Sequence, residues 1–204
     1  MSPARSALAL VLAALVLGAG GGRRLKPIDL RDPTVPIEAR RWIADAQDEV
    51  GMARAELVDA ERAVTVARDE QATASRRALA SADLPGAASF LERYQQVAQA
   101  RLDLATATAD AARARFRYAD ARLTLAHAEV AIRYDLGVVD TAPLEAAAAT
   151  TRAAVAQDQA AEEQQRAKVE QSTDALWVAY ADVLNSGGDA AALWGAVFLD
   201  EGGR

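Results

Sequence analysis

The side chains that could do chemistry are few. The chain has one histidine and no cysteine among its 204 residues, so a thiol nucleophile is excluded, and His127 lacks a second His or Cys with which to hold a metal. His127 falls on a polar flank of a helical run and reads as a solvated helix residue. Glu162 and Glu163 form an acidic pair within QDQAAEEQQRAKVEQS. Acid–base work by such a pair needs a desolvated pocket to shift one of the two pKa values, and this stretch reads instead as a wet face. The glycines gather just after residue 17 and near the C-terminus, leaving no phosphate loop. The expectation is no enzyme, no metal, no cofactor and no small-molecule substrate. A net charge of −6 without a basic cluster in the body also argues against nucleic acid, since phosphate neutralisation needs grouped Lys and Arg.

What remains is a pattern that positions surfaces rather than reactive groups. Hydrophobic residues make up 51% of the chain but aromatics only 5%; much of the apolar half is alanine, which favours helix without filling a round core. Ile43, Val50, Leu57 and Val64 recur every seven residues, and Ala39, Ala46, Ala53, Ala60, Ala67 and Ala74 recur at an offset of three. This is an a/d seam whose one position is always alanine, so a partner helix can approach closely; the seam fades at Gln71. A Pro-Gly turn follows, with Ser89 and Glu92 spaced as a capping box.

The second helical run carries two apolar stripes. One holds Phe90, Val97, Leu104, Ala111, Tyr118, Leu125 and Ile132; the other holds Leu102, Ala109, Phe116, Leu123 and Val130. Two separated stripes imply two neighbours, so this helix is the middle one. The third run has Leu144, Ala148, Val155, Val169, Leu176, Ala179 and Val183 on its seam, with Asp158, Glu162 and Gln165 interrupting it at the centre. There the helix either bends away or meets water or a polar partner. Asn185 to Gly188 stop it, and Asp189 can cap a short last helix.

The predicted fold is all-α: an elongated antiparallel three-helix coiled-coil bundle with a short fourth C-terminal helix, the helices spanning about 36–82, 87–136, 142–185 and 189–199. Phe90, Tyr94, Trp177, Tyr180, Trp194 and Phe198 fall toward one end, expected to be the better packed, and Trp42 falls near the other. Residues 23–35 read as an extended linker that ends at a helix start capped by Thr34 or Asp32. Residues 1–22, with Arg5, an apolar run from Ala7 to Leu17 and then small residues, have the layout of a secretory signal, the run being short for a bilayer span. An uncleaved N-terminal anchor is the alternative. Residues 200–204 form a tail.

Between the second and third helices lies RYDLGVVDTAPLE. As a turn it explains itself: Arg133 in a last helical turn, Gly137 in the left-handed conformation that closes a helix, Val138 folded back over that turn, Asp140 or Thr141 as the next cap, and Pro143 in the first turn. The run RYDLGVVDTAPLEAA, preceded by a long helix and followed by one that ends ALWVAYADVLNSGG, also resembles the periplasmic helical hairpin of the outer-membrane efflux family, the TolC-type channel proteins, over about residues 90–190. An Arg–aromatic–x–aliphatic–Gly–aliphatic motif marks the hairpin tip in that family, and Arg133, Tyr134, Leu136, Gly137 and Val138 match it in order. The resemblance implies that Leu136, Gly137 and Val138 contact an adaptor hairpin and that the chain contributes to an oligomeric conduit. The chain departs from the family at Pro143, where an acidic residue is often found, and it lacks the alternating strands of a membrane barrel.

Two functions follow as expectations. The first is an exported, non-catalytic helical module of the cell envelope with protein partners, either further copies of itself or envelope proteins. The second is a partial or accessory efflux or secretion component whose tip near Gly137 meets a periplasmic adaptor. A third, a membrane-surface protein using Trp194 and Phe198, is disfavoured by Asp189, Asp200 and Glu201, which repel anionic lipid.

Overall fold

Alanine at every seventh position does in the molecule what its size suggests. The computed structural model describes residues 28–33, 35–84 and 86–198, so the segments read as a signal and a C-terminal tail lie outside the described residues. Three long helices, α1 (Ile37–Ala80), α2 (Ala88–Arg133) and α3 (Ala142–Asn185), are followed by a short α4 (Ala190–Phe198). There is no strand among the described residues, and the fold is an all-α bundle. At about 1.5 Å per residue, α2 is roughly 70 Å long.

The order is antiparallel. Glu49, Glu56 and Glu61 of α1 pair with Arg122, Arg115 and Arg113 of α2, one series rising as the other falls. The column Ala39, Ala46, Ala53, Ala60, Ala67 and Ala74 is buried along its whole length against α2, and Ala78 extends it, so the seam runs past Gln71 instead of fading there. Val50, Leu57 and Val64 are only half-buried. With one neighbouring helix, the alanines take the closest approach and the larger side chains flank it.

The two stripes of α2 are both covered. Ala109 and Ala112 pack on Ala60 of α1, while Phe90 and Val97 pack on Leu176, Ala179 and Val183 of α3. Only Ile132, in the last turn, is exposed. No Cα of α1 comes within 8 Å of one in α3, so the bundle is an open layer in which α2 carries both long seams. At the aromatic end α4 contacts both α1 and α3, and Leu193 is inserted into the cluster of Ala78, Phe90, Leu91, Leu176 and Val183. α4 thus ties the outer helices together where they are otherwise separate.

Several helix ends differ from the sequence reading. α1 starts at Pro36 without a side-chain cap; the Pro36 carbonyl accepts the Arg40 N–H at 3.0 Å, and Thr34 lies outside the described residues. α2 is entered from Ala87, again without a side-chain cap, so Ser89 sits inside the helix and forms no capping box with Glu92. At α3 the N-cap residue Thr141 makes no side-chain cap bond, but Asp140 Oδ1 just before it accepts the Ala142 N–H at 3.1 Å; at α4 the expected cap is present, Asp189 Oδ1 accepting the Ala192 N–H at 2.9 Å. α3 closes with Gly187 at φ 76° and the Gly188 N–H on the Val183 carbonyl, a C-terminal closure that glycine adopts without strain.

Candidate interaction site

The turn between α2 and α3 is built differently from its reading. The left-handed residue is Asp135, with φ 53°, not Gly137. Its N–H reaches the Ile132 carbonyl and the Leu136 N–H reaches the Ala131 carbonyl at 2.8 Å, the paired bonds that satisfy a helix's last carbonyls. Asp tolerates this conformation better than most side chains. The helix ends two residues earlier than Gly137 requires, because the last buried residues of α2 are Val130 and Ala131. Val138 does not fold back: it is fully exposed.

The five motif residues therefore divide. Arg133 lays its guanidinium over two rings, 5.9 Å from the Trp42 centroid and 6.0 Å from that of Tyr134, a cation–π arrangement that fixes α1 against the end of α2. Tyr134 is half-buried on the cluster of Val35, Ala39, Ile43 and Val130. Leu136, Gly137 and Val138 are exposed. Gly137 lacks a positive φ, and a Cβ there would meet nothing, so neither backbone nor space demands glycine. Arg133 and Tyr134 hold the tip together; the other three face outward.

Beside the tip lies a contact that sequence reading missed. Residues 28–33 and 35 lie against the bundle. Ile28 and Leu30 pack with Val35 on Ala39, Ile43, Val130, Leu123 and Tyr134, and the Ile28 N–H donates to His127 Nδ1 at 3.3 Å. His127 is accordingly a half-buried acceptor and not a solvated helix residue. Loss of water by burial lowers its pKa from the ordinary 6.5, and an acceptor Nδ1 requires the neutral ring with its proton on Nε2. The apolar Ile28 and Leu30, two residues apart ahead of a helix, were the only available signal.

At the opposite end, Trp177, Tyr180 and Trp194 form a packed triad with centroids 5.5–6.1 Å apart, and Phe90 meets Tyr180 at 5.8 Å. Ala191 and Gly195 complete an open apolar groove beside them. The side chain of Phe198 lies outside the described residues. The aromatic end holds the largest of the buried clusters, as its composition suggests.

Midway along α3, Asp158, Glu162 and Gln165 keep their seam positions and are half-buried. Arg166 spans the acidic pair, 3.2 Å from Glu162 and 3.4 Å from Glu163, which makes it an ion-pair cluster. Gln165 Oε1 is buried without a hydrogen-bond partner. Among the described residues no group of three or more His, Cys, Asp or Glu could hold a metal ion, and no helix is long and apolar enough to cross a membrane. Comparison with known proteins gives no match to a family model, a curated protein or a solved structure. The efflux-family likeness therefore stands on the tip motif and the hairpin alone.

Proposed function

We propose that the chain is an exported, non-catalytic helical rod of the cell envelope that works as a structural and protein-interaction module, with further copies of itself or envelope proteins as partners. The observation that supports it is the openness of the layer. Each outer helix is covered on one side only, and both expose apolar side chains elsewhere: Met52, Val58, Val66 and Leu79 on α1, and Trp177, Val178 and Leu184 on α3. Gly51, Val58, Thr65, Ala72 and Leu79 repeat every seven residues along exposed α1, and Ala146, Ala153, Ala160 and Ala167 do so along exposed α3. These columns have the period by which one helix accepts another. Export rests on the apolar run from Ala7 to Leu17.

The chain has no native cysteine, so single-cysteine variants give clean crosslinking. Val58→Cys and Ala153→Cys should each yield defined crosslinks, to a second copy or to an envelope protein, in the exported fraction of cells. A protein that stays in the cytoplasm, or that yields no defined crosslink from either edge, sinks the reading.

A second reading is favoured by the tip, where Leu136, Gly137 and Val138 are exposed although the fold makes no demand on Gly137. In it the chain is a partial or accessory relative of TolC-type channels whose tip meets a periplasmic adaptor hairpin. Gly137→Ala then leaves the melting temperature unchanged but abolishes crosslinking of Val138→Cys to an adaptor. Undiminished capture, or none in either background, removes this reading and leaves the first intact.

A further inference from the structure

The contact at His127 joins two parts of the chain that are far apart in sequence through a hydrogen bond only a neutral imidazole can accept. We propose that residues 28–33 form an acid-released strap hinged at the buried Val35: protonation of His127 breaks its bond to the Ile28 N–H, frees the strap, and bares the apolar surface of Ile43 and Val130 beneath it. The inference does not depend on the proposed function.

The geometry carries three requirements of such a device. First, Nδ1 is the acceptor; a proton there turns it into a donor facing another donor, so the bond is exchanged for a repulsion. Second, the strap is held by few other contacts. Ahead of the buried Val35, Ile28 and Leu30 remain partly exposed, and the bonds from the Arg31 N–H to Asp29 Oδ1 and from the Val35 N–H to the Asp32 carbonyl run within the segment and do not tie it to α2. Third, what it covers is strongly apolar: Ala39, Ile43 and Val130 are fully buried. They adjoin the tip, where Trp42, Ile132 and Leu136 are already exposed, so release enlarges one apolar patch.

His127 makes no ion pair among the described residues. On its own helix, the residues one turn from His127 are Leu123, Thr124, Val130 and Ala131, with Asp120 and Tyr134 two turns away. The nearby ion pair of Glu49 with Arg122 sets Ala44 of α1 opposite His127, with Arg40, Arg41, Gln47 and Asp48 one turn to either side; Arg41, Asp45 and Asp48 are exposed to water and Arg40 is half-buried. The strap supplies Asp29, Arg31 and Asp32, and α3 packs on the other stripe. The lowered pKa has burial as its cause. The unfolded or released ring takes up a proton near 6.5 while the latched ring refuses it. The contact is therefore at full strength above that pH and weakens as the pH falls below it.

Because His127 is the sole histidine, its ring can be titrated by NMR in the full chain without assignment by mutation. The expected result is an imidazole midpoint below 6.5 and, between about pH 7.5 and about pH 5, a loss of protection at the Ile28 amide, corrected for intrinsic exchange, together with loss of the Ile28 and Leu30 side-chain contacts to Val130. Ala179 and Val183 at the other end stay protected throughout. His127→Asn, which keeps an acceptor, holds the strap closed at both pH values. An imidazole midpoint at or above 6.5 overturns the proposal. So does a strap that stays protected in acid, or one lost together with Ala179 and Val183, or one released equally in His127→Asn.

Discussion

The seam between α1 and α2 and the seam between α2 and α3 share a middle helix yet are held by different means. The first is a column of alanines from Ala39 to Ala78, laced by the cross-helix pairs Glu49–Arg122, Glu56–Arg115 and Glu61–Arg113. It is uniform along its length. The second concentrates its apolar bulk at one end, in Phe90, Leu176 and the aromatic triad, and passes through Asp158, Glu162 and Gln165 in the middle, where no ion pair crosses it among the described residues. Many small contacts at short range do in one place what a few large side chains do in the other, because dispersion and burial both scale with close contact area. The two seams should therefore fail to different kinds of mutation.

Truncating bulk should hurt the second seam most. Phe90 is 1% exposed and packs with residues from α1, α3 and α4, so Phe90→Ala is expected to cost about 3–5 kcal/mol, read as a lower denaturation midpoint in urea. Adding bulk should hurt the first. Ala112→Leu, at a position 1% exposed against Ala60, forces the helices apart and costs about 1–3 kcal/mol, whereas Ala72→Leu on the exposed side of α1 changes stability by less than about 0.5 kcal/mol. Equal costs for Ala112→Leu and Ala72→Leu would mean that the alanine column is not a close-approach seam.

The same contrast explains which features could be read from residue order. Period seven and the double stripe on α2 are local properties of a helix, so the sandwiching of α2, the antiparallel order and the gathering of aromatics at one end were all legible. Helix ends were less so. Gly137 looked like the natural left-handed residue, but the end of α2 is set by where its buried stripe stops, and that placed the conformation on Asp135. The strap was illegible for a different reason. PIDLRDPTVP has no period, and what fixes it is a partner 99 residues away. Nor does a heptad pattern reveal that α1 and α3 stay apart, since two seams on one helix are equally compatible with a closed bundle.

The polar centre of the second seam sharpens the comparison in the opposite direction. Gln165 Oε1 is buried and lacks a hydrogen-bond partner, and such an acceptor carries a desolvation cost. Gln165→Met, of similar volume, is expected to raise stability by about 1 kcal/mol, measured by thermal or urea unfolding. A decrease would show that the oxygen is satisfied in solution, and the second seam would then count as polar by construction.

The smallest effect is expected where the first seam looks most strongly tied. Arg122 Nη1 lies 2.9 Å from Glu49 Oε2, with the two side chains 48% and 41% exposed. Water screens a pair this open, and ordering two long side chains offsets part of the attraction, so a double-mutant cycle with Glu49→Ala and Arg122→Ala should give a coupling of about 0.2–1 kcal/mol. It should shrink in about 0.5 M salt, where the screening length is only a few ångströms. The alanine column should be indifferent to that salt. If the coupling exceeds about 2 kcal/mol, or survives the salt, the ion pairs rather than the alanines hold α1 to α2.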